Sequence, residues 1–387
     1  MAKINTTLFG ELALIPYVAE IPVTETLSYL TDQMESWNGT EQNVQLRSKP
    51  RQTFQYTIPL KQEFNPEVFN TAYGALRNKW AIPVWPDLQY VGNVAAGASS
   101  IVCNVVDYDL RDSSLAMVFD GCGKWQILEI STVAAGYINF AGTITVALNG
   151  AYLVPVRVGY ISGSLSKPFN GYTGRMEVSF DVDDLKEFTG TVPEQYLGFD
   201  LYTAVGLLDS NSRPVQIVKR DDVIDFDLGL VERRSPWTRA KVGASYRNVS
   251  VTPAERTAFR NFIYRRLGKS RQFWMPTFEN NIRLKNTGTV VSTLVAWKDS
   301  YLDYGTARVH VAIEAGGVWY PRIISAPVAT DATTMQLTLS SPLNIPASSI
   351  SRVSYLGLNR LDTDSVEFNY NTSLTVEANV RILELAP

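Results

Sequence analysis

From Glu41 onward polar and apolar side chains alternate through Val44, Leu46, Phe54, Tyr56 and Ile58. That period of two predicts paired antiparallel strands with one face toward a core. The Asn38-Gly39 pair just before it favours positive φ and predicts a tight turn. The period then changes. Asn65-Pro66-Glu67 opens a helix expected over 66–78, on which Phe69, Ala72, Tyr73 and Leu76 recur as one apolar stripe expected to face a core. A second helix, expected over 253–267, has stronger end signals. Thr252-Pro253-Ala254-Glu255 is a capping box with proline at the first helical position, Phe259, Phe262 and Ile263 form the stripe, and Gly268 stands where a left-handed residue ends the helix. Each helix leads to a short aromatic strand ending in proline, then to a long β-rich stretch. Asp120-Gly121, Asn149-Gly150, Asn170-Gly171 and Gly316-Gly317 punctuate those stretches as turn signals.

The pattern is written twice. Tyr56 and Tyr246, Phe69 and Phe259, and Pro86 and Pro276 each stand 190 positions apart. Further on, Gly123-Lys124-Trp125 meets Gly317-Val318-Trp319, and Met176-Glu177-Val178 meets Val376-Glu377-Ala378. The expected fold is mainly β, with two similar antiparallel β-sandwich modules, each carrying one packed helix. Residues 48–186 and 240–387 are the expected modules, with an N-terminal arm and turn over 1–47. Residues 187–239 are expected to connect them, because Gly190, Pro193, Gly198, Gly206 and Pro214 read as a linker. Two like modules make a pseudo-twofold molecule, and a few copies could build a ring with twice as many similar positions.

Composition narrows the chemistry. Apolar residues make up 45% and charged residues 19%, as in ordinary globular proteins, and the formal net charge of −3 gives no general attraction to nucleic acid or anionic membranes. The most apolar early segment, 12–23, is interrupted by Pro16, Glu20 and Pro22, so neither a signal peptide nor a membrane span is expected. Cys103 and Cys122 are read as core thiols rather than a disulfide framework. The single histidine, His310, lies in an alternating strand segment with no Gly-x-Ser-x-Gly elbow to complete a relay, and zinc would need more ligands than the chain offers. Asp181, Asp183 and Asp184, and likewise Asp221, Asp222, Asp225 and Asp227, are sequence neighbours. Such neighbours cannot face each other across a sugar, so solvated edges are expected. No nucleotide-binding loop follows a strand. No catalytic residue, metal site or cofactor is therefore expected. Arg260, Arg265, Arg266, Lys269 and Arg271, with Arg233, Arg234, Arg239 and Lys241 nearby, form one basic patch, read as a solvated helix face or an acidic-partner contact rather than a phosphate track.

Asn38-Gly39-Thr40-Glu41-Gln42, followed by Leu46-Arg47, Pro50-Arg51 and Phe54-Gln55-Tyr56, resembles a family of tail-tip proteins from long-tailed bacteriophages. Phe273-Trp274-Met275-Pro276 continues the resemblance, which covers essentially the whole chain. It implies a structural virion protein that forms a ring joining the tail tube to the baseplate hub or receptor-binding apparatus. Three copies are expected ahead of six. The implied neighbours are tube, tape-measure, hub and receptor-binding proteins, with DNA only passing through the channel. Such a protein would be assembled in the bacterial cytoplasm and end in the virion. Asn38, Gly39, Thr40, Glu41, Gln42, Arg47 and Arg51 are the candidate subunit-interface residues. Arg233-Arg234-Ser235-Pro236-Trp237 stands where the second half lacks a counterpart of 38–42. A glycan- or receptor-binding module of the tail is the alternative reading.

Overall fold

The alternating segments become strands from the start of the chain. The computed structural model describes residues 3–385 apart from 62–64, 122, 164, 166–172, 185–190, 205–214 and 238–239. The first half holds β1 (Lys3–Thr6), β2 (Gly10–Leu14), β3 (Glu20–Ser28), β4 (Thr31–Glu35), β5 (Glu41–Gln45) and β6 (Arg51–Lys61). Helix α1 (Asn65–Ala75) follows, then β7 (Trp80–Pro83), a 3-10 turn at Trp85–Asp87, β8 (Gln89–Val94), β9 (Ser100–Val102) and β10 (Leu115–Phe119). The half closes with β11 (Trp125–Ala134), β12 (Tyr137–Phe140), β13 (Leu148–Ile161) and β14 (Thr173–Val182). The second half opens with β15 (Gln195–Tyr196), β16 (Phe199–Leu201), β17 (Val215–Val218), β18 (Asp222–Ile224), β19 (Glu232–Arg234) and β20 (Lys241–Ser250). It continues through α2 (Pro253–Arg266), β21 (Phe273–Pro276), β22 (Thr289–Val290), β23 (Thr293–Trp297), β24 (His310–Ala315) and β25 (Val318–Ala329). The last strands are β26 (Thr334–Leu339), β27 (Ile345–Pro346), β28 (Ile350–Leu361), β29 (Ser365–Tyr370) and β30 (Val376–Glu384).

The fold is mainly β and its described pairings are antiparallel, except for β2 with β7 and β16 with β21. One order of pairing occurs in both halves. The pairs β1·β2, β3·β6, β4·β5, β6·β14, β7·β13, β10·β11, β10·β13 and β11·β12 make up the first. The pairs β15·β16, β17·β20, β18·β19, β20·β30, β21·β28, β24·β25, β24·β28 and β25·β26 follow the same order in the second. Register refines which residues match. Pro83 lies opposite Val156 and Pro276 opposite Leu356, so Pro276 corresponds to Pro83 rather than Pro86. Tyr56 faces Val178 and Tyr246 faces Val380, so Glu177 corresponds to Asn379 rather than Glu377. The second slip, of two, leaves every strand side chain on the same face, so alternation alone could not detect it.

The two halves are not separate bodies. β29, which has no twin among the described residues of the first half, joins β30 on one side and β3 on the other. One sheet therefore runs β14–β6–β3–β29–β30–β20–β17. The central core draws on both halves, with Leu14, Phe54 and Trp80 in one cluster with Phe259, Phe273 and Phe368. Two smaller clusters lie further out, around Ile130, Ile138 and Leu153 in the first half and Leu294, Ile313 and Leu337 in the second. The arm and the expected linker are part of this packing. Leu12 and Leu14 of β2 are buried, as are Leu201 at the end of β16 and Tyr202 just after it. Gly198 (φ 83°) turns the β15–β16 hairpin within the expected linker, whereas Gly190, Gly206 and Pro214 lie outside the described residues.

The helices differ. In α2, Thr252 accepts from the Glu255 N–H at 3.2 Å and the Glu255 carboxylate accepts from the Val251 N–H at 2.9 Å, so the expected capping is present. The left-handed exit begins one residue early, at Leu267 (φ 51°), and Gly268 (φ 70°) extends it. In α1, Val68 is the only buried residue among those described, and Phe69, Tyr73 and Leu76 face outward instead of into a core. α1 ends at Ala75 and α2 at Arg266, and Asn70, Tyr73 and Leu76 repeat as Asn261, Tyr264 and Leu267. Val68 therefore matches Phe259, and Phe69 matches Arg260, one residue away from the expected alignment. Among the turns, Gly39 (φ 85°) and the Gly316-Gly317 pair (φ 59° and 80°) close hairpins, whereas Gly150 (φ 64°) marks a bulge inside β13. Asn170-Gly171 and Cys122 lie outside the described residues. Cys103 is half-buried with a free thiol pushed up to about 11 by burial.

Candidate assembly interface

A charge interrupts the buried row of β3. Val23 and Leu27 point inward as alternation requires, and Glu25 between them is wholly buried. An isolated carboxylate there would be prohibitive, so its partners must arrive from elsewhere. The charge that answers it comes from the second half. Arg260 of α2 places Nη2 2.7 Å from Glu25 Oε2 and Nη1 3.2 Å from Asp87 Oδ2. The Tyr370 hydroxyl donates to Glu25 Oε2 at 2.6 Å, and Gln52 donates to Oε1 at 2.6 Å. Arg256, one helical turn earlier, donates to the Pro86 carbonyl at 2.8 Å and forms an ion pair with Asp87 Oδ1 at 2.8 Å. Burial pushes the Tyr370 hydroxyl well above the ordinary phenol range, so it stays protonated as a donor. Burial weakens the Arg260 charge, but Glu25, Tyr370 and Asp87 outweigh it and raise its pKa.

Backbone contacts extend this joint. Thr257 Oγ1 donates to the Asp107 carbonyl at 2.8 Å, and the Tyr29 hydroxyl donates to the Ile263 carbonyl at 3.4 Å. Asp364, next to β29, accepts from the Thr31 N–H at 2.9 Å and from Thr31 Oγ1 at 2.8 Å. A Cβ at Gly268 would lie 2.2 Å from Asp364 Oδ1 and 2.9 Å from Tyr29 Cβ, so only glycine lets the chains approach here.

The β4–β5 hairpin forms the third contact. Glu41 projects into the second half, with Lys241 Nζ 2.5 Å from one oxygen and Arg360 Nε 2.6 Å from the other. Lys241 also reaches Glu35 at 2.8 Å. Burial opposes the Glu41 charge, but Arg360 and Lys241 outweigh it and hold the carboxyl below its usual range. Gly39 packs on the Trp237 indole, where a Cβ would come within 2.9 Å. Asn38 caps its own turn by accepting from the Thr40 N–H at 3.1 Å. Gln42 is exposed opposite Met34, Arg47 Nη1 lies 3.5 Å from the carbonyls of Ser28 and Tyr29, and Arg51 opens β6 exposed. Of the seven candidate residues, the structure brings Gly39 and Glu41 onto the other half of the same chain; the rest shape the hairpin or its exit.

The basic patch divides: Arg233, Arg234 and Arg271 are exposed, whereas Lys241, Arg260, Arg265 and Arg266 are drawn into ion pairs. Arg256, Arg260 and Arg266 are buried, and Arg265 and Arg266 both pair with Asp200 of β16. Burial alone would raise the Asp200 pKa, but Arg265, Gln195 and Arg266 bring it down to about 2. Arg239 lies outside the described residues. A further buried set, Arg157 with Asp109 and Arg111, sits within the first half, and the two cations hold Asp109 well below the carboxylate range despite its burial. His310 is half-buried against Tyr196 and Trp274, and burial lowers its pKa. Asp183 pairs with Lys79 at 2.9 Å, and Asp181 accepts from Thr53 at 2.9 Å. Among the described residues no group of three metal-ligating side chains converges, and no helix is long and apolar enough to cross a membrane.

Sequence reasoning missed Glu25, Asp87, Asp109 and Arg157. The signal for Glu25 was present, a carboxylate inside an apolar alternation. The arginine that answers it was invisible at more than two hundred residues' distance. Comparison with known proteins adds no family: no family model matches the chain, and no curated protein matches it at a significant level.

Proposed function

We propose that the chain is a structural component of the tail tip of a long-tailed bacteriophage, closing into a ring around the tail axis between tube and hub or receptor-binding apparatus. The observation that carries this reading is the repeated pairing order together with the joint between the halves. The first half presents β3 and the β4–β5 hairpin, and the second half meets them with α2, β29 and Arg360. Contact between unlike faces of like units is heterologous, and heterologous contacts close into rings when their rotation fits. Three copies would then offer six like halves beneath a sixfold tube, with a ring of six copies as the alternative count. Burial of Arg256, Arg260 and Arg266 in ion pairs favours a channel through which DNA passes without being held. Trp80, Trp85, Trp274 and Trp319 are buried, which weighs against a sugar-stacking surface built from them. The neighbours are other tail proteins, and the protein resides in the virion after assembly in the host cytoplasm. Native mass spectrometry of the purified chain and cryo-electron microscopy of virions test this. The expected result is a closed ring on the tail axis; a monomeric spike away from the axis would overturn it.

A further inference from the structure

The joint inside the chain has an open twin. β3 is covered along its outer edge by β29, with Leu27 opposite Val366 and fully buried at 0% exposure. β17 holds the matching place in the second half, because Leu27 lies opposite Gln52 of β6 and Ile217 opposite Val242 of β20. No strand covers the outer edge of β17 among the described residues, and Ile217 is 73% exposed. Among the described residues the complementary surface is exposed as well. α2 presents Arg260 and Tyr264 to the first half, whereas their α1 counterparts, Phe69 and Tyr73, are exposed, Tyr73 at 84%.

We propose that β17 of one copy docks against α1 of a second copy, repeating between chains the joint that β3 makes with α2 within the chain. The residue exchanges at the two joints favour a second copy over any other occupant. Inside the chain the joint holds Glu25 and Asp87 against Arg260 and Arg256. At the open positions Val215 replaces Glu25, Asn280 replaces Asp87 and Phe69 replaces Arg260. Acids and bases disappear together from two surfaces that do not touch each other within one chain. Retaining either set alone would leave a buried charge without its partner when the surfaces met. Losing both leaves apolar against apolar, with Val215 and Ile217 facing Phe69 and Tyr73. An exposed apolar strand edge is otherwise a liability for aggregation. The β18–β19 hairpin, twin of the β4–β5 hairpin that clasps the second half, extends the same side with Phe226, Leu228 and Leu230 exposed.

The internal joint supplies a geometric test. Gly268 and Tyr29 approach so closely that a Cβ on the glycine would lie 2.9 Å from Tyr29 Cβ. Their counterparts at the open joint are Arg77 on the α1 side and Lys219 after β17, and cysteines there should reach disulfide range. With Cys103 and Cys122 changed to serine, an Arg77→Cys copy is mixed with a Lys219→Cys copy and oxidised gently. A disulfide-linked dimer is expected from the mixture and from neither variant alone. Linkage by Lys219→Cys alone would mean a twofold contact and overturn the proposal, as would no linkage in the mixture. Ile217→Asp should weaken self-association at least about tenfold while leaving thermal unfolding of the dilute chain unchanged, since the side chain is exposed there. Unchanged association would also overturn it. The inference rests on the ring reading but can fail separately. Virion rings lacking the 77–219 link would keep the tail role and remove this joint, and linked dimers of a chain absent from virions would do the reverse.

Discussion

Glu25 and Arg260 show what a single residue can decide in this molecule. Each is buried, and each is tolerable only because the other is present, with Asp87, Tyr370 and Gln52 completing the set. Such a pair contributes little net stability over a packed apolar pair, yet breaking it strands a charge. Glu25→Val or Arg260→Phe alone should therefore cost ~3–5 kcal/mol, measured by denaturant unfolding. The double variant carries the residues of the open joint and should lose clearly less than the sum of the two. Additive losses would show that the two side chains are not coupled across the joint. The alternation of Val23, Glu25 and Leu27 could have shown that position 25 points inward, but not that an arginine from α2 answers it. That is why the basic patch read as a surface: its acidic partners come from distant strands.

At the scale of elements, local chemistry was legible and coverage was not. The capping of α2 by Thr252 and Glu255 and the Gly316-Gly317 hairpin depend on a few adjacent residues, and the structure has both. The α1 stripe was equally visible, but a stripe reveals an apolar face without saying what covers it. Matching Phe69 to Phe259 concealed the difference, since the two side chains belong to different faces of their helices. The segment 191–204 was missed for a related reason. Pro193 and Gly198 read as part of a tether, whereas Asp200 fixes the hairpin to Arg265 and Arg266 of α2. This attachment has a pH dependence of definite sign. The Asp200 pKa falls from 3.8 to about 2 on folding, so its stabilisation is fully present above about pH 4 and is lost as pH falls through 2. Hydrogen exchange at 195–201 should accelerate across that window. In Asp200→Asn it should be fast at neutral pH as well, without the acid transition. Protection unaffected by the substitution would mean that packing of Leu201 and Tyr202 alone holds the hairpin.

For the whole molecule, the two joints predict different responses to ionic strength. The internal joint is ionic but buried, and its charges are tied to one chain, so salt has little access to it. At the proposed joint between copies Val215, Asn280 and Phe69 stand where the internal joint has Glu25, Asp87 and Arg260, without a charge among them. Burial of apolar surface should therefore drive association; sodium chloride, which also screens Arg77 from Lys219 at the rim, should not weaken the ring, and sulfate, which is excluded from protein surfaces, should strengthen it. Mass photometry across a salt series at constant pH reads the population of closed rings directly. Dissociation as sodium chloride rises would identify an ionic contact and point away from the β17 edge. Persistence of the ring in high salt, with Ile217→Asp removing it at every salt concentration, is the outcome that a joint of this composition requires.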